Sequence, residues 1–379
     1  MDENNQHHIS AVAWLHKSHK SAKIKCCISL EDTTTLTVPA TQVNPWFVTE
    51  GPPLEVKLYS CKIYQSITSI RSVSLSLSNF TCSSDDIDYV KPIKLKTKKN
   101  SNIAVCGKFV YGSKDGNFLI EWFEFLRFMG VYKVVIYPYK LNMYATKVLR
   151  YYESLGMVDT VSGFDMPEKD LFPREVGEKC TQVFNDELII LKDCMIRLWN
   201  YKYIAVIDTD EFMIPYNAGV NGSWINFFDE YFKSSIASIA FKTSYHITSW
   251  KPVNESHPLA IGRHTDGTYP IIDRKKNVFM PSRVIIESVT THALAPHNGY
   301  KKLFCPSSIA SIHHFRECRS EWLTRTKSSK PMPKLCGNSK SSCFEFCKQR
   351  SNVLDNVAFA IEKNVKAVKN HLRDIKNHD

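Results

Sequence analysis

The sequence lacks any run of about 18 apolar residues, the length a helix needs to cross a bilayer, so it encodes no transmembrane helix. Its first 25 residues lack the apolar stretch of a signal peptide; they are polar and hold four His. None of its twelve Cys forms a C-x-x-C pair, which argues against a zinc ribbon or a thioredoxin-type motif. No internal repeat is visible. Although the net charge is +11, no Lys/Arg run interleaves with aromatics in the manner of a nucleic-acid module, and no nucleic-acid partner is expected. The excess charge reads as a solvated basic surface, with attraction to a phosphate-bearing substrate as the sharper alternative. The densest basic cluster, K-P-I-K-L-K-T-K-K from Lys91 to Lys99, reads as a linker.

What is present is an ordinary globular composition, 43% hydrophobic and 23% charged over 379 residues, with room for two or three domains. An even number of Cys is compatible with disulfides. Three N-glycosylation sequons, at Asn79, Asn221 and Asn254, agree with that. Together they point to a secretory lumen, and an anchor outside the given sequence is expected.

Residues 1–100 read as a β-rich N-terminal region ending in the linker. Leu54-Val56-Leu58 and Val73-Leu75-Leu77 alternate with the period of a strand. From residue 101 strands and helices alternate. Asn102–Tyr111, Val131–Tyr139, Met157–Val161 and Tyr203–Asp208 read as strands; Gly116–Met129, Asn142–Leu155 and Cys180–Asn200 read as helices. That order predicts an α/β fold with a mostly parallel sheet flanked by helices. Residues 101–320 would form this domain. Residues 321–379 would be a Cys-containing C-terminal extension, helical through the stripe Ile361, Val365, Val368, Leu372 and Ile375.

The chemistry is read from I-D-T-D-E-F, Ile207 to Phe212. In extended backbone, Asp208 and Asp210 would share a side, about 6.6 Å apart along the strand. Two hard carboxylates at the carboxyl edge of such a sheet suit a divalent cation that keeps positions open for phosphate oxygens. Such a cation would stabilise a departing diphosphate. Gln182 and Asn185 share a helix face and are candidates to approach a sugar. His292, His297, His313 and His314 are candidates to complete a metal shell.

These residues resemble glycosyltransferase family 92 in three ordered blocks. Cys106, then L-I-E-W-F-E-F from Leu119 to Phe125, then Gly130-Val131 resemble its first block. Gln182 and Asn185, Tyr201-Lys202-Tyr203, Asp208 to Phe212 and Pro215 resemble its second. Arg283-Val284, His292 and His313-His314-Phe315-Arg316 resemble its third, where His-Tyr-Arg is usual. The likeness covers about residues 101–320; residues 1–100 match nothing nameable.

The resemblance implies a GT-A-type, Rossmann-like fold and an inverting transfer from a UDP-sugar with manganese. The donor it suggests is UDP-galactose, and the acceptor a glycan such as the core fucose of N-glycans. It also implies a type II Golgi membrane protein with a membrane anchor. On that reading Asp208, Asp210 and His292 would hold manganese, and Lys108 and Tyr111 would approach the nucleotide. Asp266 and Glu287 are the candidates for the base that activates the acceptor hydroxyl. Phe315 in place of Tyr puts one hydroxyl in question, a candidate acceptor contact. Two other readings stand beside this one: a haloacid-dehalogenase-like phosphatase, which also places Asp-x-Asp after an apolar strand, and a lectin-like member of the fold without turnover.

Overall fold

The computed structural model describes residues 7–19, 21–43, 54–64, 69–82, 88–94, 100–161, 182–216, 223–318, 333, 334, 336 and 346–374. They form mixed α/β structure in two compact units. One comprises residues 1–97, 164–199 and 286–288; the other comprises 98–163, 200–285 and 289–379. The break at 97 falls where the Lys-rich linker is expected. Of the described residues, 182–199 group with the N-terminal strands, and those of the C-terminal extension group with the larger unit.

The first unit contains five antiparallel strands: β1 (His7–His16), β2 (Ile24–Leu30), β3 (Thr35–Val43), β4 (Leu54–Ile63) and β5 (Ile70–Leu77). Their order in the sheet is β1-β4-β3-β2-β5. One small buried cluster joins Cys26, Ile28, Leu30, Cys61, Ile63 and Val73, and Cys27, Leu58 and Tyr59 are buried besides. Disulfides Cys26–Cys61 and Cys27–Cys82 tie these strands together covalently, the usual supplement to a core of limited size. Helix α3 (Gln182–Leu198) belongs to this unit and packs on β1 and β4.

The second unit is built on a nine-stranded sheet. Strands β6 (Asn100–Tyr111), β7 (Val131–Tyr139), β8 (Val158–Thr160) and β9 (Tyr201–Val206) run parallel, in the order β9-β6-β7-β8. The remainder is mixed. Strand β13 (Ile271–Phe279) lies antiparallel to β9 and to β11 (Ile236–Ile247), and β11 runs parallel to β16 (Lys301–Phe304) and β17 (Ala310–Arg316). Strand β10 (Glu211–Pro215) closes that edge, antiparallel to β17. The strand–helix alternation is therefore confined to half of the sheet. Beyond Pro215 the chain returns by antiparallel as well as parallel connections, which a simple alternation does not anticipate. Two short ribbons complete the strands: β12 (Asp266–Thr268) with β18 (Lys348–Arg350), and β14 (Val284–Ile285) with β15 (Ala295–Pro296).

Helix α1 (Gly116–Phe128) begins at Asp115, whose carboxylate accepts from the Asn117 N–H, and stops at Gly130 with φ +77°. Helix α2 (Met143–Ser154) repeats the pattern with Asn142 at its start and Gly156, φ +71°, at its end. Helices α4 (Trp224–Tyr231) and α5 (Ala260–Arg263) are short. The final helix, α6 (Asn352–Asp374), buries Ile361, Val365, Val368 and Leu372 on the stripe its spacing predicts; Ile375 lies outside the described residues. Helix α1 is buried on nearly all sides, among α2, α5, α6, β7 and β10.

Cys336 pairs with Cys347, and Cys106, Cys194 and Cys318 are also disulfide-bonded. Cys305 is a buried free thiol; Cys180 and Cys343 lie outside the described residues. The sequon asparagines Asn79 and Asn254 are exposed, and Asn221 lies outside the described residues. Among the described residues no helix is long and apolar enough to cross a membrane.

Candidate active site

Strand β9 ends at Val206, short of both aspartates. The extended geometry expected for Asp208 and Asp210 is replaced by a tight turn, in which the Glu211 N–H donates to the Asp208 carbonyl at 3.1 Å. The Glu211 carboxylate holds the turn shut by accepting the Asp208 N–H at 2.9 Å. A flat sheet would forbid this connection. Four strand spacings separate β9 from β10 in the sheet order, about 19 Å at the usual spacing. A reversed turn brings its ends within about 7 Å. The sheet must coil until the start of β10 meets the end of β9, and that coil gathers the cluster described next.

Lys108 and Lys276 grip Asp208. Lys108 Nζ lies 2.7 Å from Oδ1 and Lys276 Nζ lies 2.6 Å from Oδ2. Both lysine side chains are buried, while the Asp208 side chain is 34% exposed. Lys108 is aimed by a bulge. The β6–β7 register passes from Cys106↔Val135 to Lys108↔Ile136, leaving Gly107 as the extra residue. Lys108 itself sits at φ +55°, a conformation that non-glycine residues adopt at some cost. Lys276 is placed by the ladder: Val278 pairs with Ala205, so Lys276, two residues earlier, comes level with residue 207. Its ammonium also contacts the buried Glu211 carboxylate at 3.0 Å. Burial opposes ionisation of Asp208, but the two ammonium groups outweigh it and hold its carboxyl well below the usual range. Burial pushes the Glu211 carboxyl up.

The other aspartate meets histidine. Glu211 pairs with His314 across β10 and β17, and the Phe315 N–H donates to the Asp210 carbonyl at 2.9 Å. That register sets His314 Nε2 3.4 Å from Asp210 Oδ1. Burial opposes ionisation of Asp210, and the imidazole outweighs it, lowering the carboxyl. His314 Nδ1 and Glu211 Oε1 face each other at 3.3 Å, yet neither has a hydrogen-bond partner. Among the described residues no three His, Cys, Asp or Glu side chains form a complete metal cage. Asp210 and His314 fit the part-built kind, in which a divalent cation takes a carboxylate and an imidazole from the protein and its remaining ligands from a phosphate-bearing substrate.

The expected site residues are distributed as follows. Lys108, Asp208 and Asp210 come together. The ring of His292 is close enough to Lys276, Lys108 and Asp208 to feel their charges, but its Nδ1 contacts the Lys275 carbonyl at 3.3 Å. Burial, reinforced by the two lysines, pushes His292 down to about 3, so the ring is neutral. His314, not His292, is the imidazole that faces Asp210. Tyr111 ends β6 and is 37% exposed. Asp266 pairs by its backbone with Arg350 in the β12–β18 ribbon. Glu287 belongs to the other compact unit, where its carbonyl accepts from Lys192 Nζ at 2.9 Å. Gln182 and Asn185 open α3, also in that unit, and their side chains lie outside the described residues.

Lys276 and Glu211 are the members that sequence reasoning missed. Phe315 is no open contact: it is buried, 4.8 Å from the His246 ring in a stacked pair, and it meets Phe118 and Phe212 edge-on.

The acidic aromatic block on α1 supports this turn from behind. Trp122 Nε1 donates to the Glu211 carbonyl at 3.0 Å, and Phe125 packs on Phe212 with ring centres 5.0 Å apart. Glu121 accepts the Ala260 and Ile261 N–H groups at 3.0 and 3.2 Å. Glu124 accepts Tyr152 Oη at 2.8 Å and Arg127 at 2.9 Å.

Comparison with known proteins agrees with the three blocks. No curated protein is significantly similar to the chain. Among solved structures, the apo form of WbbM, a bifunctional glycosyltransferase, is 11% identical with a TM-score of 0.23, over 42% of this chain and 25% of that one. Amylomaltase from Corynebacterium glutamicum is 18% identical with a TM-score of 0.15, over 34% and 19%. This chain thus spans a quarter or less of the length of those two. The model of glycosyltransferase family 92 matches residues 101–366. That match takes in the α1 block, the β9–β10 turn, His314 and most of α6, well over half of the chain, and the chain belongs to glycosyltransferase family 92.

Proposed function

We propose that this glycosyltransferase moves a hexose, galactose from UDP-galactose, onto a glycan hydroxyl with inversion, and that it uses a manganese ion held by Asp210 and His314. The observation that carries the reading is the half-open Asp210 carboxylate 3.4 Å from His314, beside two buried lysines. Manganese at that pair would supply positive charge for the departing diphosphate. Lys108 and Lys276 supply two more positive charges at the same place. In the transfer the acceptor oxygen bonds to the anomeric carbon, the bond from that carbon to UDP breaks, and a base takes the hydroxyl proton. Asp266 is the base candidate carried by the same unit as the two aspartates. The parallel half of the large sheet, with the acidic turn beyond β9, supports a GT-A-type fold. The disulfides and the exposed sequons at Asn79 and Asn254 support residence in an oxidising lumen, with the Golgi and a type II anchor as the family's implication. A core-fucosylated N-glycan is the acceptor to try first. Membership of a glycosyltransferase family displaces the phosphatase alternative.

Calorimetric titration of UDP with and without manganese tests the site. Wild type should bind UDP about tenfold or more tightly with the metal, a coupling that Asp210→Asn should abolish. Equal UDP affinity in all four conditions would refute the assignment. Release of UDP from UDP-galactose in the presence of fucosylated acceptor then separates an enzyme from a lectin-like binder, which would bind without turnover.

A further inference from the structure

Each oxygen of Asp208 already meets an ammonium group. Lys108 occupies Oδ1 and Lys276 occupies Oδ2, both within 2.7 Å, and the backbone N–H of the same residue is tied to Glu211. A dication brought to Asp208 in this arrangement would sit beside two ammonium groups, with little water between them to screen the repulsion. The lysines cannot simply leave, because their stems are buried and an ammonium without an anion in that setting is strongly disfavoured. They can exchange one anion for another. The Asp208 side chain is the open member of the trio, so an incoming anion reaches the ammonium groups from its side. Lys276 keeps the Glu211 carboxylate at 3.0 Å during such an exchange, which leaves it paired throughout.

We propose that Lys108 and Lys276 lock Asp208 in the nucleotide-free enzyme, and that the donor's diphosphate unlocks it by taking over both ammonium groups. Asp208 then becomes a cation ligand only after the nucleotide has bound. The proposal rests on the function argued above, and it assigns the two aspartates different roles in time. Asp210, which faces His314 and has no lysine within ion-pair distance among the described residues, meets the cation first. Asp208 joins later, so the full metal site forms only on a loaded donor, and the cation is not held tightly in an empty enzyme.

Manganese titration of the full chain, followed by calorimetry with and without saturating UDP, tests the lock without reference to turnover. Without UDP, Asp208→Asn should bind manganese within about twofold of wild type, whereas Asp210→Asn should lose about tenfold or more. With UDP, both variants should lose about tenfold or more. A tenfold loss in Asp208→Asn before UDP is added would make Asp208 an ordinary resident ligand and overturn the lock alone. A wild type that binds neither manganese nor UDP would overturn the proposed function and the lock with it.

Lys108→Gln probes the lock from the other side, since Lys276 remains on Asp208 and Glu211. Its manganese affinity without UDP should rise about tenfold as Asp208 is partly released. An unchanged or lower affinity, in a variant whose melting temperature matches wild type, would overturn the proposal.

Discussion

Helix α1 and the turn between β9 and β10 both carry acidic side chains into the interior, and they neutralise them by different means. On α1, Glu121 is matched by backbone N–H groups at the start of α5, and Glu124 by Tyr152 and Arg127; both carboxylates are closed off from solvent. At the turn, Asp208 is matched by two ammonium groups and Asp210 by an imidazole, and each aspartate is about one-third exposed. Partners in a closed setting hold a scaffold together. Partners beside an opening can be redirected to a ligand. The same residue type therefore serves architecture in one region and chemistry in the other, and the choice is made by the partner and by access.

The comparison breaks if substitutions on the two sides have the same consequences. The largest effect expected is on catalysis: Asp210→Asn should lower transfer by about 10²–10³-fold, as loss of one electrostatic contact at a reacting centre commonly does. Its melting temperature without metal should stay close to wild type. A large fall in stability would move Asp210 into the scaffold class.

Glu121 should show the opposite behaviour. Burial raises its carboxyl from 4.5 to about 7 against the pull of two N–H groups and Lys369. The folded state therefore holds the proton more tightly than the unfolded chain. The stability gained in this way is fully present below pH 4.5 and is lost as pH rises through about 7. Urea unfolding at pH 5 and pH 8 should show wild type losing up to about 3 kcal/mol more than Glu121→Gln across that interval. Parallel pH profiles for the two proteins would show that Glu121 is ionised in the fold.

Trp122→Phe should give the smallest change. It keeps the ring in place and removes one donor from the buried Glu211 carbonyl, at a cost of about 1–3 kcal/mol by denaturant unfolding. If it lowered transfer as much as Asp210→Asn without destabilising the chain, the α1 block would belong to the chemistry.

The aspartates were legible because a continuous apolar run leads into them, and the N-terminal strands because their alternation is local. The partners of the aspartates were not. Lys276 reads as one more cation in R-K-K, Arg274 to Lys276; it reaches Asp208 only through the β13–β9 register, which no local pattern encodes. Lys108 was legible as a strand-end residue, but its aim depends on the bulge at Gly107. His313 and His314 are adjacent, and a strand must point them to opposite faces. His314 takes the Asp210 side, while His313 Nδ1 lies 2.9 Å from His246 Nε2 in a buried pair. Choosing between them needs the pairing of Glu211 with His314, a fact of the folded sheet. The assumption of an extended Asp-x-Asp failed for a related reason, because the Glu211 carboxylate folds the segment back on itself.

The membership of α3 in the N-terminal unit bears on how the chain is made. Strands β1 and β4 leave the ribosome long before residues 182–198, the helix that packs on them. Until then that sheet has an uncovered face and waits for a segment encoded well into the family region. During the interval such a nascent chain exposes apolar surface and unpaired edges, which invite association. A fragment cut at residue 100 would carry the five strands without their covering helix, arrested at an early moment of its own synthesis.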